Sequence, residues 1–329
     1  MLKSNGDKYR KKENDMKVVM LESLGVSEAA LERHVNKLAD MGHEFVRYEK
    51  DTDPAIQAER CRDADAVILA NMPLAESAVK NAEKLKFIDV AFTGVDHIPM
   101  DEARAKGIAV SNASGYATEA VAELCISFMI QLLRNTAKVE ERCRTGGAKD
   151  GLVGNLLSGK TVGIVGAGLI GKRVAALAKA FGCKTIAYNR SEVKDAAIDR
   201  QVSLEELLKE SDIVSLHCPL TDETKGLIGK EQLALMKGTA ILLNTARGGV
   251  LDSHALADAL TKGEIAGAAI DVFENEPPLD TAHPLLNCPN AIVTPHIGFA
   301  SAESLEQRAD IVFENLYSWL SGKQINAVK

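Results

Sequence analysis

The chain has 329 residues, 46% hydrophobic and 26% charged, with a formal net charge of −7, a mass of 35.3 kDa and an isoelectric point near 5.6. That is the profile of a globular protein of about two domains at the usual ~150 residues each, and its acidity argues against a nucleic-acid binder working through a basic surface. The longest nearly apolar stretch, Leu124 to Leu133, is too short to span a membrane and carries Gln131. The six cysteines form no CxxC pair and no zinc spacing, so no metal site and a reducing cytoplasm are expected.

Met1 to Asp15 is nearly all polar or charged and lacks the apolar run of a secretory signal, and Asp7, Glu13 and Asp15 argue against a transit peptide. A disordered extension is expected there, with the foldable pattern starting at Met16. Short apolar runs then alternate with helical periods, the signature of βαβ units and a parallel sheet. Strands are expected at Val18 to Leu21, Ala66 to Ala70, Phe87 to Ala91 and Ile108 to Val110. Ser27 caps a helix with Leu31, Val35 and Leu38 on one face. One long helix is expected from Ala117 to about Arg144. Its first half is apolar nearly all round, through Val121, Leu124, Ile126, Phe128, Met129, Leu132 and Leu133, which places it in a large core or at a subunit interface. Gly146, Gly147, Gly151, Gly154 and Gly159 mark a loop. From Lys160 six strands are expected, at Thr161 to Val165, Thr185 to Tyr188, Ile213 to His217, Ala240 to Asn244, Ala268 to Val272 and Ala291 to Thr294. They make a doubly wound unit, followed by a helix over roughly Ser301 to Trp319.

Gly166-Ala167-Gly168-Leu169-Ile170-Gly171 is a G-x-G-x-x-G run. A strand leads into it, and a helix with Ile170, Val174, Leu177, Ala178 and Phe181 on one face leads out, the context that a dinucleotide-binding fingerprint requires. Glycine lets the backbone approach a pyrophosphate, which then meets unpaired N–H groups and the positive end of a helix. The second strand ends at Tyr188 and is followed by Asn189, Arg190 and Ser191. No carboxylate stands there to hold the ribose hydroxyls, whereas Arg190 and Ser191 could meet a 2′-phosphate, so the reading leans to NADP over NAD.

Three further segments fall at strand ends, where open α/β sheets bind ligands. These are Asn244-Thr245-Ala246-Arg247-Gly248-Gly249, Asp271 through Pro277, and Thr294-Pro295-His296-Ile297-Gly298. With the glycine loop, Gly94-Val95-Asp96-His97-Ile98 and His217-Cys218-Pro219-Leu220-Thr221, they resemble the D-isomer-specific 2-hydroxyacid dehydrogenase family over essentially the whole chain from Met16.

The resemblance implies an α/β architecture of two doubly wound parallel-sheet domains, a Rossmann cofactor domain inserted in a flavodoxin-like substrate domain. Here residues 16–114 and 297–329 would form the substrate domain and 115–296 the dinucleotide-binding domain, joined by a hinge whose closure excludes water. It implies that Arg247 forks a keto-acid carboxylate, that His296 gives and recovers the proton, and that Glu276 favours the imidazolium and fixes its orientation. Asp271 matches a position facing the nicotinamide carboxamide. Thr93, Cys218, Thr245, Ala246 and Gly298 match cofactor contacts, as do Arg247 and His296. Leu169 and Ile170 match backbone contacts to the pyrophosphate. Gly94 and Val95 match the loop that holds the substrate carboxylate, with Asn71 as a weaker candidate in the same mouth. The remaining histidines (His34, His43, His97, His217, His254 and His283) read as surface or packing residues. Hydroxypyruvate or glyoxylate is the lead substrate and a homodimer the expected assembly. The alternatives are a short D-3-phosphoglycerate dehydrogenase and, in another class, a dinucleotide-sensing scaffold of the corepressor kind.

Overall fold

The computed structural model describes residues 15–276 and 279–328; the expectation for the N-terminal extension lies, apart from Asp15, outside them. The chain divides into two units, one comprising residues up to Tyr116 and again from Ser301, the other Ala117–Ala300.

The first unit holds five parallel strands: β1 (Lys17–Met20), β2 (Glu44–Arg47), β3 (Ala66–Leu69), β4 (Phe87–Val90) and β5 (Ala109–Asn112). Their order in the sheet is β2-β1-β3-β4-β5, the flavodoxin-like winding. The register pairs Val19 with both Val46 and Val67. β3 and β4 are buried along their whole length because helices cover both faces of the sheet. The helices are α1 (Glu28–Asp40), α2 (Pro54–Cys61), α3 (Glu76–Lys80) and α4 (Met100–Ala105). Ser27 caps α1 by accepting from the Ala30 N–H, as expected.

β2 has no counterpart among the expected strands. It is an edge strand reading Glu-Phe-Val-Arg, with its outer residues exposed, and it lacks the apolar run that marks an interior strand. The strand expected at Ile108 to Val110 is shifted and runs from Ala109 to Asn112.

In the second unit the single helix expected over 117–144 is two: α5 (Thr118–Leu133) and α6 (Thr136–Arg144). The break falls at Asn135, whose φ of 53° is left-handed, a conformation asparagine tolerates better than most residues. Val121, Ala122, Cys125, Ile126, Phe128, Met129 and Leu133 of α5 are buried within this unit, so most of its apolar surface belongs to the core. The strands are β6 (Thr161–Val165), β7 (Lys184–Tyr188), β8 (Arg200–Gln201), β9 (Ile213–Leu216), β10 (Ile241–Asn244), β11 (Gly267–Ile270) and β12 (Ala291–Val293). All pair in parallel, in the order β12-β11-β10-β9-β6-β7-β8. Six expected strands are therefore joined by a seventh, β8, two residues long and exposed at the sheet edge. The helices α7 (Leu169–Ala180), α8 (Leu204–Glu210), α9 (Lys230–Leu233) and α10 (Ser253–Lys262) complete this unit, and α11 (Ala302–Leu320) returns the chain to the first. Ser301 caps α11, with its hydroxyl accepting from the Ser304 N–H. Among the described residues, no helix is long and apolar enough to cross a membrane.

Candidate active site

Six strands of the second sheet end in predicted site residues. Gly166 follows β6, Asn189 follows β7, Cys218 lies just beyond β9, Thr245 follows β10, Asp271 follows β11, and Thr294 and His296 lie beyond β12. The winding reverses between β6 and β9, which places the crevice for a ligand above those two strands. The backbones close tightly there. Gly166 has φ 95°, and a Cβ on it would lie 2.6 Å from the Cys218 nitrogen. A Cβ on Gly171 would lie 2.2 Å from the Gly166 carbonyl oxygen, so the helix start packs directly on the turn. A Cβ on Gly168 would meet nothing within 4 Å, and as N-cap of α7 it offers no side-chain cap to the helix. The first N–H groups of α7 thus present an uncapped, open cradle of the kind a pyrophosphate occupies.

Asn189 has a local role at this turn. Its Oδ1 accepts from the Ala167 N–H at 3.1 Å, while its Nδ2 donates to the Ser191 carbonyl and hydroxyl oxygens at 3.0 and 3.1 Å. It ties the glycine loop to the end of β7. Arg190 and Ser191 are exposed beside it. Glu192 is drawn to Lys194 at 3.4 Å. Glu223 lies below the usual carboxylate range, chiefly through the Thr221 hydroxyl and in part through the Arg190 charge.

At the end of β10, the buried Asn244 shapes the turn that carries Arg247. Its Oδ1 accepts from the Ala246 N–H at 3.1 Å and its Nδ2 donates to the Arg247 carbonyl at 3.0 Å. Arg247 Nη1 donates to the Ala246 carbonyl at 2.8 Å. The Thr245 hydroxyl lies 3.4 Å from Cys125 Sγ on α5. Cys218 is buried, and burial raises its thiol above the usual range, which makes it packing rather than a nucleophile.

Glu276 and His296 meet directly, with Oε1 2.7 Å from Nδ1. The second Glu276 oxygen accepts from the Phe273 N–H at 3.2 Å, and Phe299 meets the His296 ring edge-on at 5.7 Å. The backbone of His296 is left-handed at φ 54°. The Asp271 segment holds it there: its carbonyl accepts from the His296 N–H at 2.7 Å. The Asp271 carboxylate accepts from Thr294 Oγ1 at 2.6 Å, Ile297 N–H at 2.9 Å and Gly298 N–H at 2.8 Å. Burial raises the Asp271 carboxyl, against the pull of those donors. A Cβ on Gly298 would lie 2.9 Å from Asp271 Oδ2, so glycine is needed for this approach.

In the first unit, Asn71 follows β3, and Thr93, Gly94 and Val95 lie beyond β4. Three residues outside the expected set build this mouth. Glu22, buried beyond β1, accepts from the Ala70 and Met72 N–H groups at 2.7 and 2.8 Å, so it brackets Asn71. Gln57 donates to the Pro73 carbonyl at 3.1 Å and accepts from the Ala75 N–H at 2.8 Å. His97, expected only to pack, pairs through Nε2 with the Ala70 carbonyl at 2.8 Å and accepts on its own carbonyl from the Leu74 N–H at 3.0 Å. The Thr93 carbonyl accepts from Asn112 Nδ2 at 2.7 Å. Glu22 and Gln57 are polar residues in predominantly apolar or helical surroundings, and only their burial marks them.

Residues 126–298 match the family model described as D-isomer specific 2-hydroxyacid dehydrogenase, NAD binding domain. A glyoxylate reductase from Thermococcus litoralis is 39% identical over 300 residues, covering 86% of this chain and 90% of that protein. A glycerate dehydrogenase from Methylorubrum extorquens is 38% identical over 296 residues, with 87% and 92% covered. A D-3-phosphoglycerate dehydrogenase from Methanocaldococcus jannaschii is 40% identical over 271 residues, 80% of this chain but only 51% of its own length. Among solved structures, an acyclic imino acid reductase in complex with NADPH and D-Arg matches with a TM-score of 0.88 at 28% identity, covering 95% of this chain and 100% of that one.

Proposed function

The chain belongs to the D-isomer specific 2-hydroxyacid dehydrogenase family, and from that premise we propose that it reduces a small 2-keto acid to the 2-hydroxy acid, with hydroxypyruvate or glyoxylate as the lead substrate. The observation that carries this reading is the 2.7 Å Glu276–His296 pair, set beyond β11 and β12, the two strands that follow the Arg247-bearing β10 toward the sheet edge. A bound reduced nicotinamide dinucleotide supplies the hydride. Arg247 forks the substrate carboxylate. With Nδ1 of His296 committed to Glu276, Nε2 delivers the proton to the carbonyl oxygen as the hydride reaches the carbon. Glu276 stabilises the imidazolium before transfer and fixes the ring plane.

Gly166, Gly168, Leu169, Ile170 and Gly171 would hold the pyrophosphate at the start of α7. Cys218, Thr245, Ala246, Asp271 and Gly298 would line the nicotinamide side. The first unit takes the substrate-domain role and the second that of the dinucleotide domain. Asn189, Arg190 and Ser191 receive the adenosine ribose, and Arg190 with Ser191 favours a 2′-phosphate, hence NADP. The exposure of Arg190 and Ser191 at the end of β7 supports this, although Glu223 competes for the Arg190 charge. A homodimer is supported by Val153 and Leu156, 80% and 71% exposed in the segment after α6.

One observation favours a second reading. Lys50 Nζ lies 3.8 Å from Glu22 Oε2, so a cation stands beside the carboxylate that brackets Asn71, where a phosphorylated substrate such as 3-phosphoglycerate would need one. Reduction of hydroxypyruvate with NADPH and NADH side by side, against oxidation of 3-phosphoglycerate, separates the two. Arg190→Ala should cut efficiency with NADPH by at least about tenfold, the size of a charge-assisted hydrogen bond, and leave NADH untouched. Cofactor binding without turnover on any keto acid would instead support the scaffold, and wild-type turnover in His296→Ala would remove the acid–base assignment.

A further inference from the structure

A second Glu–His pair lies next to the first. The Ser253 hydroxyl, on the first turn of α10, donates to Glu274 Oε1 at 2.5 Å, and Glu274 Oε2 lies 3.0 Å from His283 Nε2. His283 Nδ1 accepts from the Leu285 N–H at 3.4 Å, so the proton of the neutral ring sits on Nε2 and is donated to Glu274. Both carboxylate oxygens are thereby engaged. Although burial works the other way, the Ser253 and His283 bonds hold Glu274 below the usual carboxylate range. Ser253 is buried, and the side chains of His283 and Glu274 are 13% and 35% exposed.

The position of this trio in the chain gives it a role. Glu274 and His283 close the base of the excursion that leaves β11 and carries Glu276, two residues past the clamp. A second route runs through Phe273. Its ring meets the His283 ring edge-on at 4.9 Å, and its N–H donates to the Glu276 oxygen that His296 does not use. The Phe273 backbone is also pinned from below, since a Cβ on Gly248 would lie 2.0 Å from the Phe273 carbonyl carbon.

We propose that Ser253, Glu274 and His283 form a brace of positioning residues that sets Glu276 against His296. The inference rests on the acid–base reading of Glu276 and His296 and adds the device that makes their 2.7 Å contact persistent. The brace works by hydrogen bonding, not by net charge. A glutamine at 274 preserves it, accepting from His283 Nε2–H through its oxygen and donating to the Ser253 oxygen through its amide, whereas alanine abolishes it.

The test compares kcat and KM of Glu274→Ala, Glu274→Gln and Ser253→Ala in keto-acid reduction, with His296→Ala as reference and melting curves for each. Glu274→Ala is expected to lose about tenfold to a hundredfold in kcat, the scale of an ångström-sized misplacement. Its KM should change little, because none of the three brace residues is read as a substrate contact. Glu274→Gln should restore the rate, and Ser253→Ala should fall between. If Glu274→Ala does not fold, Ser253→Ala against Glu274→Gln decides. A folded Glu274→Ala with wild-type kcat, or a Glu274→Gln as impaired as alanine, would overturn the brace. Wild-type turnover in His296→Ala would overturn the acid–base reading instead, so the two failures are distinguishable.

Discussion

Replacing Asp271 by Asn probes what holds the His296 loop. The carboxylate serves three donors: Thr294 Oγ1 and Ile297 N–H on Oδ1, and Gly298 N–H on Oδ2. An amide has one acceptor oxygen, so it keeps one backbone donor and turns its own N–H groups on the other. The Thr294 hydroxyl can reverse and accept, so its share of the loss is small. An orphaned buried donor costs about 1–3 kcal/mol, and the surviving bond drops from charge-assisted to neutral, to roughly half its strength. Burial offsets part of this, since it already raises the Asp271 carboxyl and disfavours its charge. The net loss is about 1–3 kcal/mol. The left-handed backbone of His296, at φ 54°, costs a non-glycine residue of order 1–3 kcal/mol. Anchor and strain are therefore of the same size, and without the anchor the loop releases. Asp271→Asn should lower kcat for keto-acid reduction by about tenfold to a hundredfold, at a decade per ~1.4 kcal/mol, and lower the melting temperature. Thr294→Val should do much less. Steady-state kinetics and melting curves on the three proteins decide. Wild-type kcat in Asp271→Asn, or an equal loss in Thr294→Val, would refute the reasoning.

Two predictions concern stability. His217, whose Nε2 lies 2.8 Å from Ser215 Oγ, is pushed down by burial to about 4. The unfolded chain takes up this proton near pH 6.5 and the folded one does not, so stability falls as pH drops through that window, by about 3 kcal/mol in all. His217→Gln should flatten the acid side of a melting-temperature profile, and an unchanged acid slope would show that another group carries it. Asp89, fully buried on β4, receives Asn315 Nδ2 on Oδ1 at 3.0 Å, and its Oδ2 has no hydrogen-bond partner. Burial holds this carboxyl well above its usual range. Its protonated form matches the fold, so stability is lost as pH rises from the unfolded carboxylate value toward the folded one. Asp89→Asn should therefore raise the melting temperature at about pH 8 and change it little at about pH 4; a lower melting temperature at both would sink the argument.

The interior of both sheets was legible because parallel strands buried on both faces read as short apolar runs, as in Ala66 to Leu69 and Ile241 to Asn244. The edges were not. β2 and β8 lack that run, and their pairing comes from the neighbouring strand rather than from their own side chains. The break at Asn135 was hidden because its only mark in sequence is the pair of weak helix formers Asn135 and Thr136, set between stretches of helical pattern. At the site, strand-end position marked the segments that carry Arg247, Glu276 and His296, and the family resemblance supplied the roles expected of these three residues. Glu22, Gln57 and the Ser253–Glu274–His283 trio were invisible, because each acts across long gaps in sequence on backbone groups or on a partner with no motif of its own.

The closing stretch of the chain completes the first unit. α11 lays Asn315 against Asp89 and stacks Trp319 on Phe87 at 4.8 Å. Beyond it, Ala327 bridges antiparallel to Ser111, the Asn326 carbonyl accepts from the Asn112 N–H at 3.1 Å, and the Val328 N–H donates to the Val110 carbonyl at 2.9 Å. The outer edge of β5 is thus sealed by residues that leave the ribosome only after the whole of Ala117–Ala300 has been made. Because domains fold as units in the order of their synthesis, the contiguous second unit can finish while the first still presents a bare sheet edge and an uncovered Phe87. Until α11 arrives, that edge is the nascent chain's point of exposure to mispairing, and the order of translation makes the inserted unit the first to be complete.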